Sequence, residues 1–570
     1  MQKRWSYKPL PDEAKTAQLA KDLNINTAIT ALLVQRGVDS YEQAKQFFRP
    51  SLQDLHNPFL MKDMDKAVAR LEEAIFKREK IMVYGDYDVD GTTSVAVLYG
   101  FLRKFYTNLE YYTPDRNTEG YGISEQGIKW GYDQNVKLII ALDCGIKAQE
   151  KIAYAKNLGV DFIICDHHRP DKDNLPLAIA VLDPKREDCP YPYKELSGCG
   201  IGFKFLQAFC INNNIPLEKL YDFLDLVAVS IGADIVPING ENRILAYYGL
   251  KKLNANPRTG LKAIIEAAGL KRPLEISSIV FGIAPRINAS GRITHARQAI
   301  ELLLCEDYTK AETLALQANN TNEQRRDFDA NITQEAFEMI ELQSQDKQTH
   351  LATIIYKEDW HKGVIGIVAS RCIDKYYRPT IVLTSSNNKI TGSARSIQGF
   401  DIYEALEYCA DVLEQYGGHT HAAGLTLSYE QLPAFKSKFQ QIVSEKITED
   451  ILTPTLNIDL LLNLDWISFK FLSVLKQMQP FGPENMTPVF ASEEVVADSI
   501  IKTIKGEHIK MFVKQQGSHR TVEAVGFGLA HHYEQLLTGK PFKIAYQVVE
   551  NEYKGRVSLQ LMLKDIQFYA

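Results

Sequence analysis

Three aspartates stand at alternate positions in one short glycine-bounded loop, within the segment VYGDYDVDGTTS. Asp86, Asp88 and Asp90 would repel one another strongly in so small a space, because neighbouring like charges disfavour each other's ionised form. A bound divalent cation removes this repulsion, and carboxylate oxygens are the ligands that hard cations prefer. The loop therefore predicts a metal site, with an acidic turn facing solvent as the alternative for this segment alone.

Two later segments add carboxylates and imidazoles, again directly after short apolar runs. The first is LDCG, which contains Asp143, and the second is CDHHRP, which contains Asp166, His167 and His168. Sites rich in oxygen ligands with one or two imidazoles favour Mn²⁺ or Mg²⁺, whereas a structural zinc ion prefers thiolates. We therefore expect one centre for Mn²⁺ or Mg²⁺, built from all three segments.

The elements that must position these residues alternate between strand and helix from residue 81 onward. Predicted strands are the β-branched runs IMVY, KLIIAL, DFIIC and AIAVL, and predicted helices include TTSVAVLYGFLRKF and AQEKIAYAKNLG. This alternation is typical of βαβ units in a doubly wound α/β domain with a parallel sheet. Aspartate follows each strand, with Asp183 after the fourth, and open parallel sheets bind ligands at the carboxyl ends of their strands. Several of these carboxylates should converge on one crevice.

The predicted secondary-structure pattern changes twice in the rest of the chain. A polar stretch from about Tyr308 to Leu342 contains neither proline nor glycine and predicts a long connecting helix, after which a second α/β pattern begins at Leu351. After Pro454, strands alternate with glycine-bearing turns, which is typical of a small β-barrel such as an OB-fold. The predicted domains are a helical N-terminal appendage, an α/β catalytic domain with a helical extension, a connecting helix, a smaller α/β domain and an OB-like barrel, over residues 1–50, 51–307, 308–345, 346–452 and 453–570.

The net charge, the hydrophobic pattern and the cysteine content restrict the classes of function that the protein can have. The formal net charge of −6 means that the whole molecule does not attract polyanions, so nucleic acid must bind through local basic surface or metal ions. No apolar run suits a signal peptide or reaches the roughly 18 residues of a membrane span, which predicts a cytoplasmic protein. Eight cysteines without a CxxC pair indicate reduced thiols. Cys144 and Cys165 adjoin candidate ligands, but small buried residues at strand ends are the preferred interpretation over zinc ligands.

Taken together, the motifs resemble those of RecJ-type single-stranded-DNA-specific exonucleases, in the DHH phosphoesterase superfamily. Residues 166–168 resemble the DHH signature itself, and GDYDVDG, LDCG and GADIVP occur in the order that this family shows. The other similar segments are TPDRNTEGYG, APRINASGR, WHKGVIGIVASR, GSARS, GGHTHAAG and PFGPENMTPVF. The resemblance extends from about residue 75 to residue 570. It implies a metal-dependent 5′-to-3′ exonuclease that releases mononucleotide 5′-phosphates in DNA repair and recombination.

The resemblance also implies roles for individual residues. The implied ligands of two Mn²⁺ or Mg²⁺ ions are Asp88, Asp90, Asp143, His167 and Asp234. Asp143 would be shared by both ions, and the implied catalytic residues are His168, Asp143 and Asp166, with His168 facing the scissile phosphate. One departure concerns Tyr84, because related DHH phosphatases have histidine at this place, four residues before Asp88. The ion held by Asp88 would then bind more weakly, or take a water molecule or Asp86 instead.

A phosphate grip is implied for the second α/β domain, the DHHA1 domain of the family. The implied substrate-binding residues are Arg286, Asn288, Arg292, Arg395, Ser396, Gly418 and His419. Guanidinium groups match phosphate oxygens in geometry, which supports the arginines in this role. A plain turn is the alternative for GGHTHAAG, and a capping or packing role is the alternative for His361.

The barrel sequence also suggests nucleic-acid binding. Its lysines, Lys502, Lys505, Lys510 and Lys514, interleave with Met511 and Phe512, as in grooves that follow a phosphate backbone and stack bases. A solvated β face is the alternative, and the resemblance to the RecJ OB-fold domain favours binding. The partners implied are single-stranded DNA, single-stranded-DNA-binding protein and a helicase, with no membrane.

Two other functions compete with this interpretation. One is a DHH phosphoesterase that acts on short oligonucleotides, cyclic dinucleotides or pyrophosphate, but such relatives lack the PFGPENMTPVF segment and a nucleic-acid-binding barrel. The other is a non-catalytic DNA-binding scaffold. A scaffold has no reason to keep the mutually repelling carboxylates of Asp88, Asp90, Asp143 and Asp234 beside His167.

Overall fold

The structure is a computed structural model that describes residues 3–116, 118–171, 174–293, 295–344, 351–498, 500–518 and 520–569. The chain divides into two compact units. The small unit contains residues 1–6, 292–294 and 319–456, and the large unit contains residues 7–291, 295–318 and 457–570. The predicted boundary near residue 345 lies outside the described residues. Within the described residues, no helix is both long enough and apolar enough to cross a membrane.

A five-stranded sheet, parallel throughout, forms the centre of the large unit. In spatial order its strands are Leu109–Tyr112, Lys80–Gly85, Val136–Leu142, Asp161–Cys165 and Ala180–Leu182. The chain therefore builds outward in one direction and then reverses, with the reversal between Lys80–Gly85 and Val136–Leu142. Open parallel sheets bind ligands at this switch point, outside the carboxyl ends of the strands. The acidic loop and Asp143 directly follow these two strands.

Helices cover both faces of this sheet. Val83 and Ile140 belong to one apolar core, and their sequence neighbours Met82 and Ile139 belong to another. This alternation follows from the period of two in a strand. Helices on the first face are Met64–Phe76, Val89–Leu102 and Gly198–Asn212, and those on the second are Glu125–Asp133 and Gln149–Asn157. The prediction of a doubly wound α/β domain is confirmed.

Further helices extend this domain. They are Glu218–Tyr221, Leu224–Ala233, Gly240–Ala255, Thr259–Ala267, Ile276–Ser278, the π-helical turn Ile279–Ile283, Ala284–Ile293 and Arg297–Leu304. Near the N-terminus, the helices are Glu13–Leu23, Thr27–Gln35 and Tyr41–Phe48. Leu19, Ile29 and Leu32 from these N-terminal helices share one apolar core with residues of the C-terminal barrel.

The barrel follows the strand Thr455–Ile458. Its strands, in spatial order, are Leu460–Leu461, Phe490–Ala497, Phe542–Tyr553, Arg556–Phe568, Thr521–Gly526, His508–Gln515 and Lys502–Ile504. An additional pairing joins Phe490–Ala497 to His508–Gln515, which closes the sheet on itself. Closure removes the exposed edges of an open sheet, as in OB-folds. The predicted OB-like barrel is confirmed.

The small unit is a second α/β structure. Its mixed sheet has the spatial order Gln415–His419, Ala422–Leu427, Lys389–Arg395, Thr380–Ser386 and Thr353–Tyr356. The helices beside it are Ile365–Tyr376, Ile402–Glu407, Leu432–Lys446 and Glu449–Leu452. The predicted connecting helix is present as Tyr308–Ser344, with 37 residues. Ile332 and Ile340 of this helix pack in one apolar core with Trp360.

Candidate active site

Four of the proposed metal ligands meet around His167 in the large unit. Nε2 of His167 lies 3.2 Å from Oδ1 of Asp143. The same nitrogen lies 3.6 Å from Oδ2 of Asp234 and 3.8 Å from Oδ2 of Asp90. Because these residues come from four separate parts of the chain, only the tertiary fold brings them together.

The polar atoms of this cluster suit a divalent cation. Oδ1 of Asp143 and both ring nitrogens of His167 are buried, and within the described residues they have no hydrogen-bond partner. Buried polar atoms without partners are unfavourable, so such atoms in a native protein point to an ion or water. Two groups place their ligand atoms within 4.8 Å of one another: Asp143 with His167 and His168, and Asp90 with His167 and Asp234. Carboxylates with imidazoles fit Mn²⁺ or Mg²⁺.

The electrostatics agree with a cation site. Burial and the charge of Asp90 raise the pKa of Asp143 well above its usual value, and the same two causes raise the pKa of Asp234. A cation would relieve this repulsion. Burial lowers the pKa of His167 to about 4, so its imidazole is neutral and offers a lone pair. His167 belongs to both candidate groups, whereas the resemblance assigns the shared position to its close neighbour Asp143.

Asp90 is anchored by two helices of the fold. Its carboxylate accepts hydrogen bonds from the backbone N–H groups of Gly198 at 2.7 Å and Cys199 at 2.9 Å, at the start of helix Gly198–Asn212. The hydroxyl of Ser230 donates a third, at 2.7 Å. These three hydrogen bonds hold the Asp90 carboxylate in one orientation at the N-terminus of a helix.

Gly198 is a functional position that the sequence analysis missed. A Cβ atom on Gly198 would lie 2.6 Å from Cβ of Asp143, so only glycine allows the helix to approach this closely. Asp143 itself has φ of 59°, a left-handed conformation that aspartate tolerates better than most residues. The signal was the sequence SGCG, in which Ser197 caps a helix that begins with glycine.

Asp88 occupies the cap of the helix that follows the acidic loop. Its Oδ1 accepts a hydrogen bond from the N–H of Gly91 at 3.0 Å. Burial and the charge of Asp90 raise the pKa of Asp88. It belongs to neither of the two groups that the described residues form around His167. Asp88 therefore stays a proposed ligand.

Tyr84 and Asp86 differ in whether all of their side-chain polar atoms have hydrogen-bond partners. The hydroxyl of the fully buried Tyr84 donates to the carbonyl of Gly122 at 3.0 Å and accepts from the N–H of Ser124 at 3.1 Å. Asp86 accepts from the N–H of Gly122 through Oδ1, while its buried Oδ2 has no partner among the described residues. Asp86 is thus better placed than Tyr84 to complete an ion's coordination.

His168 is held by Asp166 and remains partly exposed. Its Nδ1 lies 2.7 Å from Oδ1 of Asp166, and its Nε2 lies 3.1 Å from the hydroxyl of Tyr121. Asp166 is buried and also accepts the backbone N–H groups of His167 and Ile146. Burial opposes the charge of His168, but the hydrogen bond and charge of Asp166 outweigh it and raise the pKa to about 9. Tyr121 was not predicted from the sequence as a site residue, although it lies in the segment TPDRNTEGYG.

In the small unit, two proposed phosphate contacts share a row of the sheet. Ala422 pairs with both His419 and Arg395, so these two flank it in one cross-strand row. Directly paired residues point to the same face of a sheet. Gly418 has φ of 148°, and a Cβ there would lie 2.3 Å from the carbonyl oxygen of Ala422. The hydroxyl of Ser396 donates to the carbonyl of Phe400 at 2.6 Å.

The interpretation of GGHTHAAG as a turn was only partly correct. Gly417 and Gly418 lie within the strand Gln415–His419, and only residues 420 and 421 separate it from the next strand. A tight hairpin needs only two residues between its strands. Gly417 and Gly418 are therefore not required for the turn, and their lack of a side chain lets another backbone segment lie close to the strand.

The remaining proposed substrate contacts, Arg286, Asn288 and Arg292, belong to the helix Ala284–Ile293. Arg286 and Asn288 belong to the large unit, and Nη1 of Arg286 donates to the carbonyl of Gly282 at 2.7 Å. Arg292 groups with the small unit. His361 stacks on Phe328 with centroids 5.5 Å apart, which supports the packing role named as its alternative.

The barrel strand His508–Gln515 departs from the sequence interpretation at one residue. Met511 is buried in the barrel core, whereas Phe512 is 42% exposed, because consecutive residues of a strand face opposite sides. Met511 is therefore not part of a base-stacking surface. Two of the four lysines are paired with acids: Lys510 with Glu523 at 2.7 Å and Lys514 with Asp498 at 2.6 Å.

Comparisons with known proteins agree with this architecture. Family models match three segments: the DHH family N-terminal domain at residues 80–231, the DHHA1 domain at residues 347–445 and the RecJ OB domain at residues 458–565. A crystal structure of RecJ in complex with Mn²⁺ from Thermus thermophilus has a TM-score of 0.85 and 25% identity, covering 100% of this chain and 80% of that chain. RecJ from the same organism has also been solved with Mg²⁺.

Similarity in sequence extends over almost the whole chain. The single-stranded-DNA-specific exonuclease RecJ of Bacillus subtilis is 38% identical over 567 residues, which is 99% of this chain and 70% of that protein. The protein of the same name from Haemophilus influenzae is 31% identical, covering 91% of this chain and 92% of that protein. The resemblance inferred from the motifs is confirmed: the chain belongs to the RecJ family of single-stranded-DNA-specific exonucleases.

Proposed function

We propose that this protein is a metal-dependent exonuclease that hydrolyses the phosphodiester bonds of single-stranded DNA. The observation that carries the proposal is the cluster of Asp90, Asp143, His167 and Asp234, with buried polar atoms that lack partners among the described residues. Relatives named as single-stranded-DNA-specific exonucleases support the substrate and favour it over short oligonucleotides, cyclic dinucleotides or a scaffold role.

One set of residues is proposed to hold the metal ions, and a second set is proposed to orient the substrate. Two Mn²⁺ or Mg²⁺ ions, when bound, supply an activated water and neutralise charge on the phosphate. Asp88, Asp90, Asp143, His167 and Asp234 are the proposed ligands. Asp90 is fixed by the helix N-terminus at Gly198, and Gly198 in turn leaves room for Asp143.

His168 is the proposed contact to the reacting phosphate. Asp166 holds Nδ1 and so turns Nε2 outward, beside the hydroxyl of Tyr121. From this position His168 can donate a hydrogen bond to a phosphate oxygen, or a proton to the leaving 3′-oxygen. Asp166 therefore acts through His168 as a positioning residue.

The phosphate grip on the strand is proposed for Arg286, Asn288, Arg292, Arg395, Ser396, Gly418 and His419. Support comes from the shared row of Arg395 and His419 and from the close backbone approach at Gly418. Cleavage from 5′ to 3′, release of mononucleotide 5′-phosphates and a role in DNA repair and recombination rest on the motif resemblance. The same resemblance supports single-stranded-DNA-binding protein and a helicase as partners.

The test is nucleotide release from single strands labelled at the 5′ or the 3′ end, with Mn²⁺ or Mg²⁺ supplied. We expect immediate release of a labelled mononucleotide from the 5′-labelled strand only. Asp143→Asn should reduce release to background, while Asp133→Asn, at an exposed helix end, should behave as wild type. Absence of release by the wild type with both ions would overturn the proposal, and early release of the 3′ label would overturn its polarity.

A further inference from the structure

An apolar groove of about 760 Å³ lies in the large unit, and one of its lining residues directly follows a proposed metal ligand. That residue is Ile235, the neighbour of Asp234. The other walls come from helices Leu224–Ala233 and Gly240–Ala255, from residues 273–281 and from the PFGPENMTP segment. A residue of the groove wall is thus the sequence neighbour of a proposed metal ligand. None of the residues assigned to catalysis lines the groove.

Three large apolar side chains in this groove are exposed rather than packed. Phe281 is 80% exposed, and Ile235 and Met486 are each 61% exposed. Ile235 also has φ of 59°, which is strained for a β-branched residue. Strain of this kind persists where the surrounding structure enforces it, often at binding sites. The fold thus holds an apolar side chain outward beside Asp234.

Hydrogen bonds fix the groove in advance. The buried guanidinium of Arg243 donates to the carbonyls of Phe47, Met478 and Gln479, which ties one wall to the helices behind it. The N–H of Ile238 donates to the carbonyl of Pro483 at 2.8 Å.

A close backbone contact fixes the same wall. A Cβ on Gly482 would lie 2.5 Å from Cγ1 of Ile238, so the PFGPEN turn needs glycine at this point to dock. A groove that is already formed loses little ordering entropy when a ligand enters, which favours binding.

The charge at the rim selects the ligand. Arg49 and Lys251 line the groove with exposed cationic side chains, whereas Lys476 on the rim is ion-paired with Glu550. Glu275 is the acid among the described lining residues. Apolar surface that stacks bases, flanked by cations that meet phosphates, is the pattern of single-strand binding sites. We propose that this groove binds unstacked bases of the single strand whose end is cleaved at the metal centre, with phosphates toward Arg49 and Lys251. The inference rests on the proposed function, because it assigns a further subsite to the same substrate.

An apolar peptide from a protein partner is the other occupant that the lining would accept. The adjacency of Ile235 to Asp234 favours DNA, because a residue of the groove wall is bonded directly to a proposed metal ligand. The cations Arg49 and Lys251 on the rim favour DNA further, since every nucleotide of a single strand carries one phosphate.

The test uses the full chain with Phe281→Ala, Met486→Ala and the double variant. Phe76→Ala is the matched control, because Phe76 is 88% exposed and does not line the groove. Strands of increasing length are digested, and KM and kcat are measured for each. We expect the double variant to raise KM about tenfold on long strands, within the range for a lost base stack, with kcat unchanged. The shortest strands, which do not reach the groove, should show no change.

The possible outcomes separate the two proposals. If the wild type releases nucleotides but the double variant has wild-type KM at every length, the groove inference fails and the proposed function stands. If the wild type releases nothing, the proposed function fails, and the groove is then judged by cross-linking alone. For that measurement, strands with 5-iodouracil at successive positions are photo-cross-linked to Asp143→Ala protein. Adducts at Phe281, at Met486 or at Tyr247, which also lines the groove, support the inference, and adducts confined to other residues overturn it.

Discussion

Oδ1 of Asp166 lies 2.7 Å from Nδ1 of His168, and this contact fixes which ring nitrogen of His168 faces outward. We predict that Asp166→Asn lowers kcat by about 10² to 10⁴, the usual contribution of a positioned acid or base, and changes KM little. The reason is that asparagine loses the charge that orients the imidazole and favours its protonated form. Asparagine also keeps only one of the two acceptor oxygens, so it retains either the N–H groups of His167 and His168 or that of Ile146. Steady-state kinetics on a labelled single strand measures both constants.

A purely structural role for Asp166 would give a different result. In that case the melting temperature and Mn²⁺ affinity would fall together with kcat, which thermal scans and metal titration would detect. Tyr121→Phe provides the milder comparison, because it removes only the hydroxyl that lies 3.1 Å from Nε2 of His168.

We predict that Asp143→Ala abolishes nucleotide release but leaves a folded protein that still binds single-stranded DNA. Asp143 contributes like-charge repulsion rather than core packing, so its loss should not unfold the sheet. In the wild type, Mn²⁺ at about 100 times its Kd should stabilise the fold by about 2.7 kcal/mol, and the variant should gain much less. Circular dichroism tests whether the variant is folded, and an affinity measurement tests whether it still binds single-stranded DNA. Melting temperatures with and without Mn²⁺ test whether it has lost the stabilisation by metal. Substantial release by a folded variant would show that the centre is misplaced.

We predict that Gly198→Ala damages the site although it adds a single methyl group. The new Cβ would lie 2.6 Å from Cβ of Asp143, and relief of this clash should cost about 1 to 3 kcal/mol of stability and most of the activity. Gly200→Ala, two residues along the same helix, meets its neighbours at an ordinary 3.4 Å and serves as the control. Equal activity in the two variants would contradict the role given to Gly198.

We predict that Phe512→Ala weakens single-strand affinity by about 1 to 3 kcal/mol, the range for one base stack, while kcat at saturation stays unchanged. Deletion of the whole barrel is a poorer test, because its core is shared with the N-terminal helices at Ile29 and Leu32. Tyr553→Ala, at an exposed hairpin tip, is the matched control. Unchanged single-strand affinity in Phe512→Ala would contradict base stacking on this residue and would favour the alternative of a solvated β face.

The sequence was informative where a local pattern determines the structure. Apolar strands followed by aspartates predicted the sheet and its acidic edge, because strand period and the carboxyl-end rule depend on neighbouring residues. It was less informative where distant segments meet. The sequence SGCG marks a capped helix that begins with glycine, but it does not show that this helix approaches Asp143. Likewise, nothing near Ala422 in sequence shows that it separates His419 from Arg395. Met511 was misjudged because the alternation of its strand was not applied to it.

The three hydrogen bonds to Asp90 have a consequence for choosing inactive variants and for judging diverged relatives. This carboxylate joins the start of one helix to the body of another through Gly198, Cys199 and Ser230. Asp90 therefore does not count against a scaffold, contrary to the argument made from the sequence, because a descendant without nuclease activity would still be selected to keep this aspartate for folding. Asp90 alone is a poor marker of activity, whereas Asp143 and Asp234 are free to drift once catalysis is abandoned. For the same reason, substitution at Asp143 yields a cleaner inactive protein than substitution at Asp90.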